Sequence, residues 1–232
     1  ILLLWLAVGI YALLGVMCVI ELAISMPQAG AWYVYAKRAF GNYVGFVTGI
    51  TSWLGTVAAL GFGAYTFSEY VALLIPDTEG IIQLIAIGLL ALITSLHLLG
   101  TKFSGGSQQV ITLTNGISLL IFVCICFVFG QDPTGQAIQN TVRTTAGPVT
   151  MVGIISALQA IFYTYDGWHT ASYFTEENDN PAKTMPRSMI TGVILIIVMY
   201  LLINSAILYA LPMDILSQSK LAAADTITYL FG

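Results

Sequence analysis

Six apolar runs long enough to cross a bilayer alternate with short polar stretches along this chain. They cover residues 1–26, 46–75, 81–99, 110–130, 149–175 and 189–211. A hydrocarbon core of about 30 Å takes about 20 residues of helix, which each run approaches or exceeds. The runs are too long for strands, and the strict alternation of a membrane barrel is absent, so the pattern predicts helices. The second run is long enough to need a strong tilt or an extension beyond the bilayer. Thr226–Gly232 reads as the start of another segment.

The fifth run differs from the rest. It is interrupted by Tyr163-Thr164-Tyr165-Asp166-Gly167, resumes at Trp168 and ends in a charged turn punctuated by Pro181 and Pro186. Val149–Phe162 spans about 20 Å as a helix, which puts the interruption near the bilayer midplane. Asp166 at that depth costs about 2.5–3.5 kcal/mol on insertion scales, so it is expected to face the bundle interior. Gly167 supplies backbone freedom for a non-helical turn. Backbone groups freed from helical pairing in hydrocarbon need protein, water or ligand as partners, so such a break is expected to line a cavity. The carbonyls ending the first half-helix lie at the negative end of its dipole and suit a cationic group such as a substrate ammonium. Tyr163 and Tyr165 can cover such a ligand. His169 could sense or relay protons, and the alternative that the residues favour is a satisfied interior histidine. The lesser alternative is a structural polar contact between Asp166 and a residue in the part of the protein expected to lie outside this chain.

The loops carry the orientation. Lys37, Arg38, Lys102, Lys183 and Arg187 fall on one side, and Arg143 and Lys220 on the other with Asp77, Glu79, Asp132, Asp214 and Asp225. The positive-inside rule then makes the loops at 27–45, 100–109 and 176–188 cytoplasmic. Pro27 and Gly30 are expected to stop the first helix, and Ala31–Phe40 to form a short interfacial helix with its aromatic rings at headgroup depth. Gly105 and Gly106 are expected to end one helix before the next. Gly55, Ala58, Ala59, Gly61, Gly63 and Ala64 form a small-residue face on the second run, suited to close helix packing. Glu69 is expected to reach water at an outer helix end, and His97 to sit at an interface. Asn115 must face protein or water. Glu21, near the end of the first run, is either a structural hydrogen-bonding group or a coupling carboxylate. Glu176 and Glu177 are either a solvated charged loop or gating groups.

Composition agrees with a membrane protein. Of the 232 residues 58% are hydrophobic and 8% charged, with a mean hydropathy of +0.89. Soluble domains carry about 25% charged residues. The seven Lys and Arg form no basic stripe, which argues against nucleic acid. Cys18, Cys124 and Cys126 lie within apolar runs and read as core residues rather than a disulfide framework or metal site. The spacings HExxH, GxSxG and CxxC do not occur, so no catalytic residue, cofactor or metal is expected. Both ends fall inside apolar sequence, so the chain is expected to be a piece of a longer protein.

Two motifs carry a resemblance. Glu21-Leu22 is followed by Pro27-Gln28-Ala29-Gly30-Ala31-Trp32-Tyr33-Val34-Tyr35 and Phe40-Gly41. Tyr165-Asp166-Gly167-Trp168 is followed by Glu176-Glu177, Asn180-Pro181 and Pro186. In this order the chain resembles amino acid permeases of the amino acid–polyamine–organocation superfamily, near the branch of L-type exchangers and their bacterial relatives. The resemblance implies an all-α membrane protein, a polytopic helical bundle forming part of the five-plus-five inverted repeat known from the leucine transporter. The six runs would be family helices two to seven, with a discontinuous helix at 149–177. Helix one, bearing the glycine-rich turn for the substrate carboxylate, would precede Ile1. The implied activity is amino acid transport by alternating access, as proton symport or exchange. A polyamine or cationic amino acid carrier and a non-transporting membrane sensor are the alternatives.

By resemblance the site comprises Tyr163, Thr164, Tyr165, Asp166, Gly167 and His169. The backbone around Tyr163 and Asp166 would receive the amino group, and Tyr163 would stand at the gate. Glu21, His169, Glu176 and Glu177 are coupling or gating candidates. Many relatives carry a lysine where this chain has Ile117, which leaves the coupling mode open. The loop Pro76–Gly80 lacks the cysteine of the heteromeric exchangers, so no disulfide-linked heavy subunit is expected.

Overall fold

The computed structural model describes residues 1–98, 101–130, 150–219 and 221–232. The loop expected at 131–148, with Asp132 and Arg143, and Lys220 lie outside them, as do Val149, Leu99 and Gly100. Every regular element among the described residues is helical: α1 (Leu2–Ser25), α2 (Trp32–Phe40), α3 (Asn42–Leu74), a 3-10 turn (Pro76–Ile81), α4 (Ile82–Leu98), α5 (Thr101–Phe129), α6 (Met151–Tyr165), a 3-10 segment (Thr170–Glu177), α7 (Pro181–Ala210), α8 (Met213–Leu216) and α9 (Ala222–Phe231). Four of these helices are long and apolar enough to cross a membrane: α1, α3, α5 from Gly105, and α7; α4 is a shorter apolar helix.

Prolines set the ends of α1, α3 and α7. A proline ring clashes with helical backbone at the preceding residue and pushes it toward extended angles. Met26 before Pro27 (φ −133°, ψ 72°), Ile75 before Pro76 (−131°, 86°), Asn180 before Pro181 (−143°, 72°) and Leu211 before Pro212 (−115°, 127°) all obey this. Pro181 then occupies the first turn of α7, where its fixed φ suits a helix and its missing N–H is not needed.

Three local expectations change. Gly105 and Gly106 do not break the chain: α5 is continuous from Thr101 through the expected loop at 100–109. Two glycines cost about 2 kcal/mol in a helix, and without a proline nothing prevents the backbone ladder from continuing through them. Pro186 lies inside α7, which therefore begins within the loop expected at 176–188. Beyond the interruption the fifth run forms a 3-10 segment rather than a second α-helix.

Two compact units are present, residues 1–29 with 116–232, and residues 30–115. In the first, α1 packs along α7 and α6. Val8, Ala12, Val16, Val19 and Ala23 recur at helical spacing on α1 and are all buried, as are Met185, Met189 and Val193 on α7. A second apolar cluster joins Val123 and Cys126 of α5 to Ala206 and Ala210 of α7, with Leu230 of α9 against it.

In the second unit α2 lies on the start of α3. Gly45 and Gly49 on α3 receive Lys37 and Tyr33 of α2, a pair spaced by four on each helix. A Cβ at Gly45 would stand 2.6 Å from the Lys37 Cβ and 2.9 Å from its Cα, and one at Gly49 3.2 Å from the Tyr33 ring. The Lys37 ammonium donates to the Tyr33 hydroxyl at 3.3 Å. The small-residue face expected on α3 is only partly used. A Cβ added at Gly55, Gly61 or Gly63 would meet no atom of the described residues within 4 Å, whereas Ala64 is buried. Gly45→Ala is therefore expected to cost about 1–3 kcal/mol, because the Lys37 backbone cannot yield. Gly55→Ala is expected to be neutral or slightly stabilising. Thermal unfolding of the full-length protein in detergent checks the pair.

Candidate substrate site

The site begins with a capped helix. Thr150 precedes α6 and its hydroxyl accepts the Gly153 amide at 3.2 Å. α6 then runs for 15 residues, about 22 Å, and stops at Tyr165. Asp166 turns to extended backbone (φ −60°, ψ 153°) and Gly167 takes φ +105°, where a side chain would be strained. The break falls on Asp166–His169, so Tyr163, Thr164 and Tyr165 remain helical. Tyrosine and threonine at a helix end lose little, and the change of direction is left to the glycine.

A helix end leaves four carbonyls without helical partners. Here they are those of Phe162, Tyr163, Thr164 and Tyr165. The Asp166 amide returns to the Tyr163 carbonyl at 3.2 Å. The Tyr200 hydroxyl, from α7, donates to the Thr164 carbonyl at 2.9 Å. No donor among the described residues beyond the helix itself reaches the Phe162 or Tyr165 carbonyl. Past the break the chain meets its own needs. Thr170 donates both its amide (3.0 Å) and its hydroxyl (2.7 Å) to the Gly167 carbonyl. Ser172 and Thr175 hydroxyls return to the carbonyls three residues back, at 2.6 and 2.7 Å.

Helix α1 holds both sides of the break. A Cβ on Gly9 would lie 2.9 Å from the Tyr165 hydroxyl, and one on Gly15 would lie 2.7 Å from the Trp168 indole. The two glycines thus seat the aromatic side chains that flank Asp166-Gly167. Trp5, Tyr165 and Tyr200 form an aromatic cluster with centroids 5.8, 5.2 and 4.9 Å apart. Tyr165 is 5% exposed, and its hydroxyl has no partner among the described residues. Tyr11 meets Phe162 edge to face at 5.0 Å.

The predicted residues therefore separate into two groups. Tyr165 points inward, against α1 and α7. Tyr163 is 58% exposed, and Thr164 is exposed with its hydroxyl returned to the Ala160 carbonyl at 2.9 Å. Asp166 and His169 come together: Oδ1 lies 3.7 Å from Nδ1, with the carboxylate side chain 65% exposed and the imidazole 20%. That contact is an ion pair when the histidine is protonated. Trp168 and Tyr173 flank the His169 ring at 5.5 and 6.4 Å.

Of the carboxylates, Glu176 is tied in. Its Oε2 accepts the Ala29 amide at 2.8 Å, joining the 3-10 segment to the turn after α1. Glu21 and Glu177 are exposed. Glu176→Ala is expected to speed amide exchange at Ala29 several-fold, and Glu176→Gln, which keeps an acceptor oxygen, to restore most of the protection. Hydrogen exchange read by mass spectrometry checks it.

Sequence reasoning missed four contributors: Trp5, Gly9, Gly15 and Tyr200. Tyr200 was legible as a polar group, since its hydroxyl in an apolar run needs a partner. The glycines of α1 carried no signal that could name the side chain each one seats.

These features define a polytopic, all-helical membrane protein with one helix interrupted at an acid–glycine pair. The chain belongs to the amino acid permease family, whose model matches residues 1–229. It is 29% identical over 98% of its length to the serine/threonine exchanger SteT of Bacillus subtilis, of which it covers 51%. It is 30% identical over 96% of its length to the b(0,+)-type amino acid transporter 1 of Rattus norvegicus, covering 46% of that protein. It is 27% identical over its whole length to the large neutral amino acids transporter small subunit 2 of Mus musculus, covering 44%. The chain thus spans about half the length of these relatives.

Proposed function

We propose that the complete protein carries amino acids across a membrane by alternating access, as proton symport or exchange, within a five-plus-five inverted-repeat fold. The observation that carries this reading is the end of α6, where the Phe162 and Tyr165 carbonyls receive no donor from beyond the helix, beside an extended acid and a left-handed glycine. Carbonyl oxygens at the negative end of a helix dipole are acceptors for a substrate ammonium. This adds the neighbouring carbonyls of Phe162 and Tyr165 to the amino-group contacts expected around Tyr163 and Asp166, because the Tyr163 carbonyl already accepts the Asp166 amide and keeps only one lone pair. Tyr163, exposed on the last turn of α6, would close over the ligand, and His169 with Asp166 would form the polar wall. Glu176, through Ala29, would couple the segment beyond the break to the turn after α1. Glu21 and Glu177 remain coupling candidates by position.

The relative named a serine/threonine exchanger supports exchange of small neutral amino acids as the working mode. The positive-inside argument puts the loops at 27–45 and 176–188 and the region of 100–109 on the cytoplasmic side, in a plasma or inner membrane. The Pro76–Gly80 turn has no cysteine, which favours function without a disulfide-linked heavy subunit, and no enzymatic step is proposed. Uptake of labelled serine, threonine and lysine into proteoliposomes by the full-length protein tests the reading. Saturable uptake of neutral amino acids is expected, and Asp166→Asn should change it less than about three-fold. Binding without flux would replace the carrier with a sensor. Lysine uptake abolished by Asp166→Asn would make Asp166 the counter-charge of a cationic amino acid or polyamine carrier.

A further inference from the structure

We infer that Tyr200 of α7 is a positioning residue for the substrate amino group: its hydroxyl holds the Thr164 carbonyl and so fixes the direction in which the carbonyls at the end of α6 point. This rests on the transport reading above. Three observations meet at this residue. The hydroxyl has one hydrogen and gives it to the Thr164 carbonyl at 2.9 Å, across 36 positions of sequence. The ring is fixed on two sides, edge on to Trp5 at 5.2 Å and to Tyr165 at 4.9 Å. Its own carbonyl accepts the Asn204 side-chain amide at 2.8 Å, which anchors that turn of α7. The phenol is thus held in direction as well as place.

The consequence follows from counting acceptors. Of four terminal carbonyls, Tyr163 accepts the Asp166 amide and Thr164 the Tyr200 hydroxyl, each keeping a second lone pair, while no donor from beyond the helix reaches Phe162 or Tyr165. Without the Tyr200 hydroxyl the Thr164 carbonyl would need another donor. The last turn of α6 would then rotate to find one, or Thr164 would compete for the substrate ammonium. Either change disturbs an acceptor geometry that the aromatic packing alone does not fix.

Tyr200→Phe keeps the ring and removes the hydrogen bond. In the full-length protein, amide exchange over residues 163–170 is expected to accelerate about three- to ten-fold, the range of one neutral hydrogen bond. KM for the transported amino acid is expected to rise by a similar factor while Vmax changes less. Unchanged exchange would overturn the inference. Faster exchange with an unchanged KM would also overturn it, leaving Tyr200 a structural residue only. Should Tyr200→Phe fail to yield monodisperse protein, fluorotyrosine at position 200, a stronger donor, is expected to slow exchange over the same residues, and no slowing would count against the proposal. Absence of uptake by the unmodified protein would defeat the transport reading, and the exchange experiment would still decide whether Tyr200 holds the end of α6.

Discussion

Gly15→Val in the full-length protein is expected to lower amino acid uptake at least ten-fold. A Cβ at position 15 would lie 2.7 Å from Cη2 of Trp168, 3.0 Å from Cζ2 and 3.4 Å from Cζ3. The indole is rigid, so it must leave its seat or push α1 away. Overpacking of this kind costs about 1–3 kcal/mol, which is five- to over one-hundred-fold in an equilibrium. Trp168 is the first side chain after Gly167, so its displacement is transmitted straight to the break. A double variant separates this from general damage: Trp168→Phe, with a smaller ring, should recover part of the uptake lost by Gly15→Val. Losses that simply add would mean that the two residues do not share a seat in the working protein.

Gly167→Ala is the second large effect. At φ +105° a Cβ is strained by about 1–3 kcal/mol, although no atom of the described residues lies within 4 Å of it. The cost is therefore conformational, and the backbone can relieve it only by changing the turn between α6 and the 3-10 segment. Substrate affinity is expected to fall about ten-fold or more, with a smaller change in melting temperature, because space around the residue is open. KM in proteoliposomes and thermal unfolding in detergent, measured together, check the two parts. A variant that binds as tightly as the unmodified protein would show that this φ is not needed.

Much of the architecture was readable in the residues because bilayer thickness and proline sterics act locally. Apolar length located α1, α3, α4, α5 and α7, and X-Pro pairs at 26–27, 75–76, 180–181 and 211–212 explain the ends of α1, α3 and α7. The interruption of the fifth run was legible because an acid is costly at membrane depth and Gly167 beside it frees the backbone to turn. The errors came where local and non-local terms are close in size. Gly105-Gly106 carries only about 2 kcal/mol of helix penalty, too little to end α5. The place of the break shifted from Tyr163 to Asp166 because Tyr163–Tyr165 keep helical backbone up to the glycine turn, supported by the Tyr200 hydroxyl and the aromatic packing on Trp5. The site's inner wall was hidden because Gly9 with Tyr165, Gly15 with Trp168, and Tyr200 with Thr164 are pairings between distant segments, and nothing in the residue order announces them.

The claim at the centre is that the open carbonyls at the end of α6 bind the ammonium of an amino acid. Competition against labelled serine uptake, using each amino acid beside its deaminated analogue, tests it most directly. The account predicts that serine and threonine compete and that their deaminated counterparts, which keep carboxylate and side chain, do not. Equal competition by the deaminated compounds would contradict it, because nothing cationic would then be needed at Phe162 and Tyr165.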